Sequence, residues 1–335
     1  MIPFRDRLAT GEPLLYDGGF GSELFSRGVE LVNSALANDS HPDAVVDTTY
    51  DYIDAGADLV QTNTFVASPL HLAMAGVEGD GVERLVNLAV DHAKAARDRA
   101  GRDVYIAGSL GPSPGALEAD SGDTVFGIEN EKARRAHERV ATALAEGGVD
   151  LLLLETMFSA KEAAIAVDVA RKFGLPIAVS MTYKFTKNRK TDEIIYRTDW
   201  GHSAADLLDI LVSGEFSGGD NLLDDVLLLG LNCGAEQERV EHTGMPYAQI
   251  GTAQMRSALE SRGITGKYLV AFPNAGLPRL DKQQRTVYDQ TPEDMASHVN
   301  DVVAAGATVI GGCCGTRPDH IRAIGDAVRA RSRVG

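Results

Sequence analysis

The three cysteines of the chain lie in glycine-containing segments that suit a metal ion. Cys233 stands in the segment GLNCG, and Cys313 and Cys314 are neighbours in GGCCG. A lone cysteine is usually a small buried residue. The adjacent pair is more informative, because the glycines let the backbone turn both sulfurs towards one ion. Three thiolates leave the fourth position open, as in a catalytic zinc site, and sulfur favours zinc over magnesium or calcium. A strained vicinal disulfide is the alternative for the pair.

Two acidic residues stand where buried strands are expected to end. Asp17 precedes two glycines, and Glu155 ends a run of four leucines. A carboxylate at the end of a buried strand needs a partner, and a substrate ammonium group would serve. Helix capping or turn formation is the alternative for both. Asn63, at the end of the second expected strand, is either a binding residue or a turn residue.

Eight short apolar runs, rich in Leu, Ile and Val, alternate with stretches of helical periodicity. The runs indicate buried parallel strands, predicted at 13–17, 58–62, 104–108, 150–155, 176–181, 226–232, 268–272 and 308–311. Helices are predicted at 44–55, 83–100, 131–146, 160–172, 203–212, 248–261 and 292–305. This alternation predicts a single-domain α/β protein over residues 1–335, a (β/α)8 TIM barrel, with a doubly wound open sheet as the runner-up.

The candidate residues fall on one face of such a barrel. Active sites of these barrels lie at the C-terminal ends of the strands, and every cysteine of the chain is at such an end. The cysteines follow the sixth and eighth strands, which are two apart around the barrel. Their sulfurs are therefore expected to converge.

Charge and cysteine content exclude several classes of protein. The net charge is −16, whereas proteins that bind nucleic acid or anionic membranes carry basic patches. The apolar runs are too short to span a bilayer, and charges in the first ten residues argue against a signal peptide. Three cysteines, two of them adjacent, do not form a secreted disulfide framework. We therefore expect a cytoplasmic protein.

One segment, residues 183–200, differs in composition from the rest. It lacks helical or core periodicity, and it is aromatic and basic in an acidic chain. The aromatic and basic residues are Tyr183, Phe185, Tyr196, Trp200, Lys184, Lys187, Arg189, Lys190 and Arg197. Because it follows the fifth strand, we expect a loop over the C-terminal face.

Six segments together resemble the homocysteine S-methyltransferase family. They are DGGFG at 17–21, QTNTF at 61–65, GSLGP at 108–112, LET at 154–156, GLNC at 230–233 and GGCCGT at 311–316. The family includes the homocysteine-binding module of cobalamin-dependent methionine synthase and the betaine- and S-methylmethionine-dependent enzymes. The matches run in order along nearly the whole chain, and the last two correspond to the family's zinc motifs.

The resemblance implies an activity and a metal. The activity is methyl transfer to the thiolate of L-homocysteine, which forms methionine. Zinc would be held by Cys233, Cys313 and Cys314, with the homocysteine sulfur in the fourth position. A coordinating thiol is deprotonated by zinc, so the step needs no general base.

The resemblance also implies a set of substrate-binding residues. Asp17 and Glu155 would hold the substrate ammonium group, and the amides of Gly18 and Gly19 its carboxylate. Asn63 matches a position that approaches the metal when substrate is absent. Two further candidates, which lie in the matching segments, are Thr64 and Ser109.

The methyl donor is inferred from finer similarities. The segments 155–158 and 272–278 are most similar to the methionine synthase branch, which implies a methylcorrinoid carried by a separate protein. The basic segment 183–200 is expected to dock that protein. The alternative is a small onium donor, such as S-methylmethionine, another sulfonium or a betaine, with the aromatics of 183–200 as its cage. More distant alternatives are a non-catalytic thiol- or zinc-binding barrel and a barrel lyase or aldolase.

Overall fold

The computed structural model describes residues 1–77, 79, 81–234, 239–282 and 286–332. The strands are β1 (Leu14–Leu15), β2 (Leu59–Gln61), β3 (Tyr105–Leu110), β4 (Leu151–Met157), β5 (Ile177–Met181), β6 (Lys184–Lys187), β7 (Ile194–Arg197), β8 (Val226–Cys233), β9 (Tyr268–Pro273), β10 (Pro278–Leu280), β11 (Thr286–Tyr288) and β12 (Ala307–Ile310). The helices are α1 (Phe4–Ala9), α2 (Phe20–Ser26), α3 (Ala37–Ser40), α4 (Pro42–Asp54), α5 (Pro69–Met74), α6 (Gly81–Ala100), α7 (Glu118–Ser121), α8 (Asn130–Glu146), α9 (Ala160–Ala170), α10 (Ala204–Ser213), α11 (Gly244–Ser261), α12 (Pro292–Ser297), α13 (Val299–Ala305) and α14 (Pro318–Ser332).

Eight parallel strands form the barrel. Their order is β1-β12-β9-β8-β5-β4-β3-β2, and the two end strands meet through a parallel bridge between Tyr16 and Leu59. The Asp17 N–H donates to the Leu59 carbonyl across this seam at 3.1 Å. The predicted (β/α)8 barrel is therefore confirmed, and the open sheet is excluded.

The leucine run of β4 shows why these sequences form buried strands. Side chains of a strand alternate between its two faces. Leu151 and Leu153 point into the barrel, where they pack with residues such as Phe272. Leu152 and Leu154 point outward into the larger core between the barrel and its helices. Because both faces are covered, the strand is apolar at every position and shows no polar alternation.

The structure differs from the predicted elements at particular places. The single helix predicted at 292–305 is two helices, α12 and α13, because the His298 N–H bonds to Met295, three residues back instead of four. Strands β3 and β4 extend past their predicted ends, so Ser109 and Thr156 lie within strands. Among the described residues, no helix is long and apolar enough to cross a membrane.

Candidate active site

The three cysteines meet at the C-terminal ends of two barrel strands. Cys233 is the last residue of β8, and Cys313 and Cys314 follow β12 after two glycines. Only β9 lies between these strands, and the three sulfur atoms lie within 4.8 Å of one another. The Cys233 and Cys313 sulfurs are 3.0 Å apart, and those of Cys313 and Cys314 are 4.0 Å apart. The structure thus brings together all three candidate metal ligands.

The turns that aim these sulfurs use left-handed backbone. Cys233 has a φ of 51° and Gly234 a φ of 72°, and Gly315 after the pair has 81°. A residue with a side chain is strained in this region by ~1–3 kcal/mol, whereas glycine is not. Gly312 is also required, because an added Cβ would lie 2.3 Å from the Thr316 side chain. The glycines of the two motifs therefore serve the turns, and Cys233 is held in a strained conformation.

The sulfurs border a cavity of about 140 Å³ at the mouth of the barrel. Its apolar wall includes Phe20, Phe65 and Phe272, and its polar wall includes Gln61 and Glu155. This mixture suits a small molecule with a short apolar chain and a charged end.

The substrate-binding candidates divide into two groups. Those that line the cavity are Gly18, Gly19, Asn63 and Glu155. Those that are buried behind the lining are Asp17, Thr64 and Ser109.

Glu155 is the buried acid that faces the cavity. It is 4% exposed, and its Oε1 accepts a hydrogen bond from the Ser109 hydroxyl. Ser109 is held in turn by Thr64, whose hydroxyl donates to the Ser109 carbonyl at 2.6 Å. Burial raises the pKa of Glu155 to about 7, although the bond from Ser109 lowers it. In this structure Ser109 and Thr64 orient Glu155 and do not reach the cavity.

Asp17 is separated from the cavity by Gln61. Its Oδ2 accepts the Gln61 backbone N–H at 2.8 Å, and its Oδ1 accepts the Gln61 side-chain amide at 3.2 Å. Burial raises the pKa of Asp17 well above its ordinary value, and the Gln61 N–H bond opposes this. In this structure Asp17 orients Gln61, which lines the cavity, and the direct contact between Asp17 and a substrate ammonium group stays a prediction.

Two lining residues are engaged with neighbouring loops. The Gly19 N–H donates to the carbonyl and hydroxyl oxygens of Thr316 at 3.1 and 3.0 Å. The Gly19 amide is therefore already hydrogen-bonded in this structure, and its binding of a substrate carboxylate stays a prediction. The side-chain nitrogen of Asn63 donates to the Ser34 carbonyl at 2.8 Å and to Asn38 Oδ1 at 2.9 Å. Asn63 is thereby fixed against Ser34, in the segment that follows α2, and against Asn38 of α3.

The model of the homocysteine S-methyltransferase family matches residues 14–328. The chain belongs to this family. It is accordingly an enzyme that methylates homocysteine, as the motifs predicted.

Three solved structures of the homocysteine methyltransferase MmuM from Escherichia coli are similar to this family member. Its oxidized form is 23% identical with a TM-score of 0.70, and the match covers 99% of this chain and 100% of that one. Its metallated form is 25% identical with a TM-score of 0.66, covering 98% and 100%. Its apo form is 24% identical with a TM-score of 0.64, covering 97% and 100%. These matches show a common fold over almost the full length.

The donor set in this homocysteine S-methyltransferase fits a zinc ion. Hydrogen bonds from Cys233 and Cys313 lower the pKa of the Cys314 thiol well below its ordinary value. Hydrogen bonds with Cys233 and Cys314, together with burial, raise the pKa of Cys313. Three partly buried thiols cannot all ionise side by side without a cation, and three cysteine ligands with an open fourth position suit a zinc ion.

An amide beside the cysteines supports this fit. Asn274 Oδ1 is buried without a hydrogen-bond partner in the part of the chain that the structure describes. The Asn274 backbone N–H donates to the Cys233 carbonyl at 3.1 Å, and its side-chain nitrogen donates to the Gly234 carbonyl at 3.4 Å. A buried amide oxygen without a partner is costly unless an ion, a water or a ligand satisfies it. Sequence reasoning missed Asn274, although it follows a predicted strand.

Asn232 was also missed as a site residue. Its side-chain nitrogen lies 3.7 Å from the Cys313 sulfur, and its Oδ1 accepts hydrogen bonds from the Ser180 hydroxyl at 2.6 Å and the Thr156 N–H at 2.9 Å. These two donors fix the orientation of the amide, so that its N–H faces the sulfur. Its place beside Cys233 in the GLNC motif was the available signal.

The segment 183–200 is not the expected patternless loop over the cavity. Strands β6 and β7 pair as an antiparallel hairpin, and Tyr183 and Tyr196 are only 3% and 1% exposed. The described residues that line the cavity do not include any residue of this segment. Three of its basic side chains form ion pairs with nearby acids; the pairs are Lys184–Asp199, Lys187–Asp192 and Arg197–Asp206.

Proposed function

We propose that this enzyme transfers a methyl group to the sulfur of L-homocysteine, with zinc held by Cys233, Cys313 and Cys314. The observation that carries the proposal is the convergence of three sulfurs, within 4.8 Å of one another, on a cavity that Glu155 also lines. Zinc at this position supplies the positive charge that keeps a substrate thiol deprotonated near neutral pH. The existence of a metallated form of the E. coli relative is consistent with a metal in this family.

The residues of the cavity bind the amino-acid part of homocysteine in this proposal. Glu155 accepts the substrate ammonium group, because a buried carboxylate needs a cationic partner. Ser109 and Thr64 hold Glu155 in place, and Asp17 holds Gln61 at the neighbouring wall. The apolar side chains exclude water from the reacting sulfur. For a substrate carboxylate, the Gly18 backbone at the cavity wall is the candidate contact.

The reaction forms one bond and breaks one bond. The sulfur–carbon bond forms as the donor–carbon bond breaks, and the electron pair of the broken bond stays with the donor. The thiol proton is released to the solvent as the substrate binds, before this step. Cys313 has an amide donor, Asn232, beside its sulfur, which stabilises the thiolate form of that ligand.

We propose a methylcorrinoid on a separate protein as the donor, on the similarity of 155–158 and 272–278 to the methionine synthase branch. A small onium donor is the second candidate. The aromatics Tyr183 and Tyr196 give that candidate no support, because both are buried in the hairpin away from the cavity. Pairing of Lys184 and Lys187 with acids likewise reduces the uncompensated positive charge with which the hairpin would dock an acidic partner.

The test is a donor panel on the reduced, zinc-loaded enzyme with homocysteine, read as methionine formed. The panel holds a methylcorrinoid protein, free methylcobalamin, S-methylmethionine and glycine betaine. Activity with the corrinoid forms supports the donor proposal, and activity confined to an onium compound overturns it. Absence of zinc from the purified enzyme would overturn the metal assignment itself.

A further inference from the structure

The turn at Cys233 is the strained point of the cysteine cluster. Cys233 has a φ of 51° and is followed by Gly234 at 72°. A non-glycine residue in the left-handed region persists only where its surroundings hold it there. Cys313 and Cys314 lie between glycines in the turn after β12, so Cys233 is the candidate ligand whose position most needs support from other elements.

Tyr247 supports this turn from both sides. It lies in α11 and is 1% exposed. Its hydroxyl donates to the carbonyl of Asn232, the residue before Cys233, at 3.3 Å. Its ring lies against Gly234, the residue after Cys233, where an added Cβ would be 2.3 Å from the ring. A single side chain therefore fixes the backbone on either side of Cys233.

The β6–β7 hairpin holds Tyr247 in turn. The Tyr183 N–H, at the base of the hairpin, donates to the Tyr247 hydroxyl at 3.0 Å. Tyr196 of β7 packs on the Tyr247 ring at 5.2 Å between centroids. The Tyr247 hydroxyl thus accepts one hydrogen bond from the hairpin and donates one to the Cys233 turn.

The hairpin also anchors the chain beyond the turn. The Tyr196 hydroxyl and His242 Nδ1 are 2.8 Å apart, and Phe185 packs on the His242 ring at 4.5 Å. The Arg239 guanidinium lies over the Phe185 ring at 4.3 Å. Arg239 and His242 are therefore held by the same hairpin.

We propose that Tyr247 and the β6–β7 hairpin form a clamp that holds Cys233 in position to bind the metal ion. The inference deepens the proposed function and rests on it. In this scheme the aromatic residues of 183–200 help to position a metal ligand. Tyr247 is a positioning residue in this scheme, because it acts through Cys233 and does not line the cavity.

The test compares three Tyr→Phe variants, each of which removes one hydrogen-bonded hydroxyl. Tyr247→Phe removes the link between the hairpin and the turn. Tyr196→Phe removes the bond to His242. Tyr105→Phe is the matched control, because the Tyr105 hydroxyl bonds a backbone carbonyl at 2.8 Å on Ile2, far from the cysteines in the chain and at the other end of its strand. Each protein is measured for zinc affinity by chelator competition, for cobalt-thiolate absorption after Co²⁺ substitution, and for the melting temperature of the metal-free form.

The expected result is a loss of zinc affinity of about tenfold for Tyr247→Phe, as for other residues that orient metal ligands. Tyr196→Phe should lose less, and Tyr105→Phe should match the wild type. The cobalt-thiolate absorption per bound ion should be lowest in Tyr247→Phe, intermediate in Tyr196→Phe and unchanged in Tyr105→Phe. Zinc affinity of Tyr247→Phe equal to that of Tyr105→Phe would overturn the clamp, while zinc binding by the wild type would leave the proposed function standing. If Tyr247→Phe does not fold, Tyr196→Phe decides: weakened zinc binding supports the clamp and wild-type binding overturns it.

Discussion

The side-chain amide of Asn232 contacts Thr156 at two points. Asn232 Oδ1 accepts the Thr156 backbone N–H at 2.9 Å, and Asn232 Nδ2 donates to the Thr156 hydroxyl at 2.7 Å. Thr156 has a φ of 58°, so it is strained like Cys233. The two strained residues follow Glu155 and Asn232 respectively. The side chain of Asn232 therefore links the end of β4, which carries Glu155, to the end of β8, which carries the candidate metal ligand Cys233.

Replacement of this amide is expected to destabilise the protein and reduce its activity together. Asn232→Ala leaves the Thr156 N–H and the Ser180 hydroxyl without their acceptor, which costs about 1–3 kcal/mol per buried group. Guanidinium unfolding and methyl transfer to homocysteine measure the two effects. The control is Asn221→Ala, which removes an exposed side chain whose oxygen accepts the Leu223 N–H before β8. The free energy of unfolding of Asn221→Ala should fall by roughly 0.5–2 kcal/mol, and its activity should stay unchanged. Unchanged activity in Asn232→Ala as well would contradict the role of the amide.

The cysteine cluster is expected to hold one zinc ion per chain. Cys313→Ala should lose both zinc and methyl transfer, because two sulfurs do not hold the ion against a chelator. The melting temperature should equal that of the metal-stripped wild type, since the barrel core does not involve the ion. Metal analysis, activity and thermal unfolding are the measurements. An active Cys313→Ala enzyme would rule out this site.

Glu155→Gln is expected to weaken binding of homocysteine far more than binding of a simple thiol without an ammonium group. Breaking a buried charge pair on one side costs about 3–5 kcal/mol, and a simple alkyl thiol makes no such pair. Competition of both thiols against a common ligand gives the two losses. Equal losses for homocysteine and the simple thiol would mean that Glu155 only supports the fold.

The binding of methionine is expected to depend on pH through Glu155. Its pKa is raised to about 7 by burial, so the carboxyl group is protonated below that pH and ionised above it. Only the ionised form pairs with an ammonium group, so the affinity should fall about tenfold per pH unit below 7. Methionine has no thiol to ionise, which isolates this group. Calorimetry between pH 5.5 and 8 should show the slope in the wild type and a flat profile in Glu155→Gln; parallel profiles would assign the dependence to another group.

Neutralising the hairpin is expected to have little effect on catalysis. Lys184 and Lys187 pair with acids at the surface, and exposed ion pairs contribute at most about 1 kcal/mol. A protein with Lys184, Lys187, Arg189 and Lys190 replaced by glutamine should keep its methyl-transfer rate across ionic strengths. A rate that falls and loses its salt dependence would instead restore the hairpin as a docking surface for the donor protein.

The barrel and the cysteine cluster were predictable because their signals are local. A run such as Leu151–Leu154 indicates a strand buried on both faces by itself, and eight such runs fix the architecture. Convergence of Cys233 with Cys313 follows from strand order alone. None of these inferences needs the orientation of a side chain.

The supporting contacts were not predictable because they join residues far apart in the chain. Asn232 and Thr156 are 76 positions apart, and Tyr247 and Tyr183 are 64 apart. The periodicity of the sequence does not predict contacts between residues so far apart in the chain. The placement of Asp17 behind Gln61 likewise depends on how β1 and β2 meet. The aromatic residues of 183–200 stand out in composition, but only the packing of Tyr196 on Tyr247 shows what they contact.

The seam between β1 and β2 has a consequence for how the barrel opens. Strand β1 is two residues long, and the carboxylates of Asp58 and Asp17 complete the ladder on either side of it by accepting the Leu15 and Gln61 N–H groups. Because this seam is short and relies on side-chain hydrogen bonds, we expect it to open locally at a lower free-energy cost than the rest of the barrel. Amide hydrogen exchange measures such opening. Gln61 belongs both to this seam and to the cavity wall. Hydrogen exchange at the seam is therefore expected to slow when an amino acid occupies the cavity.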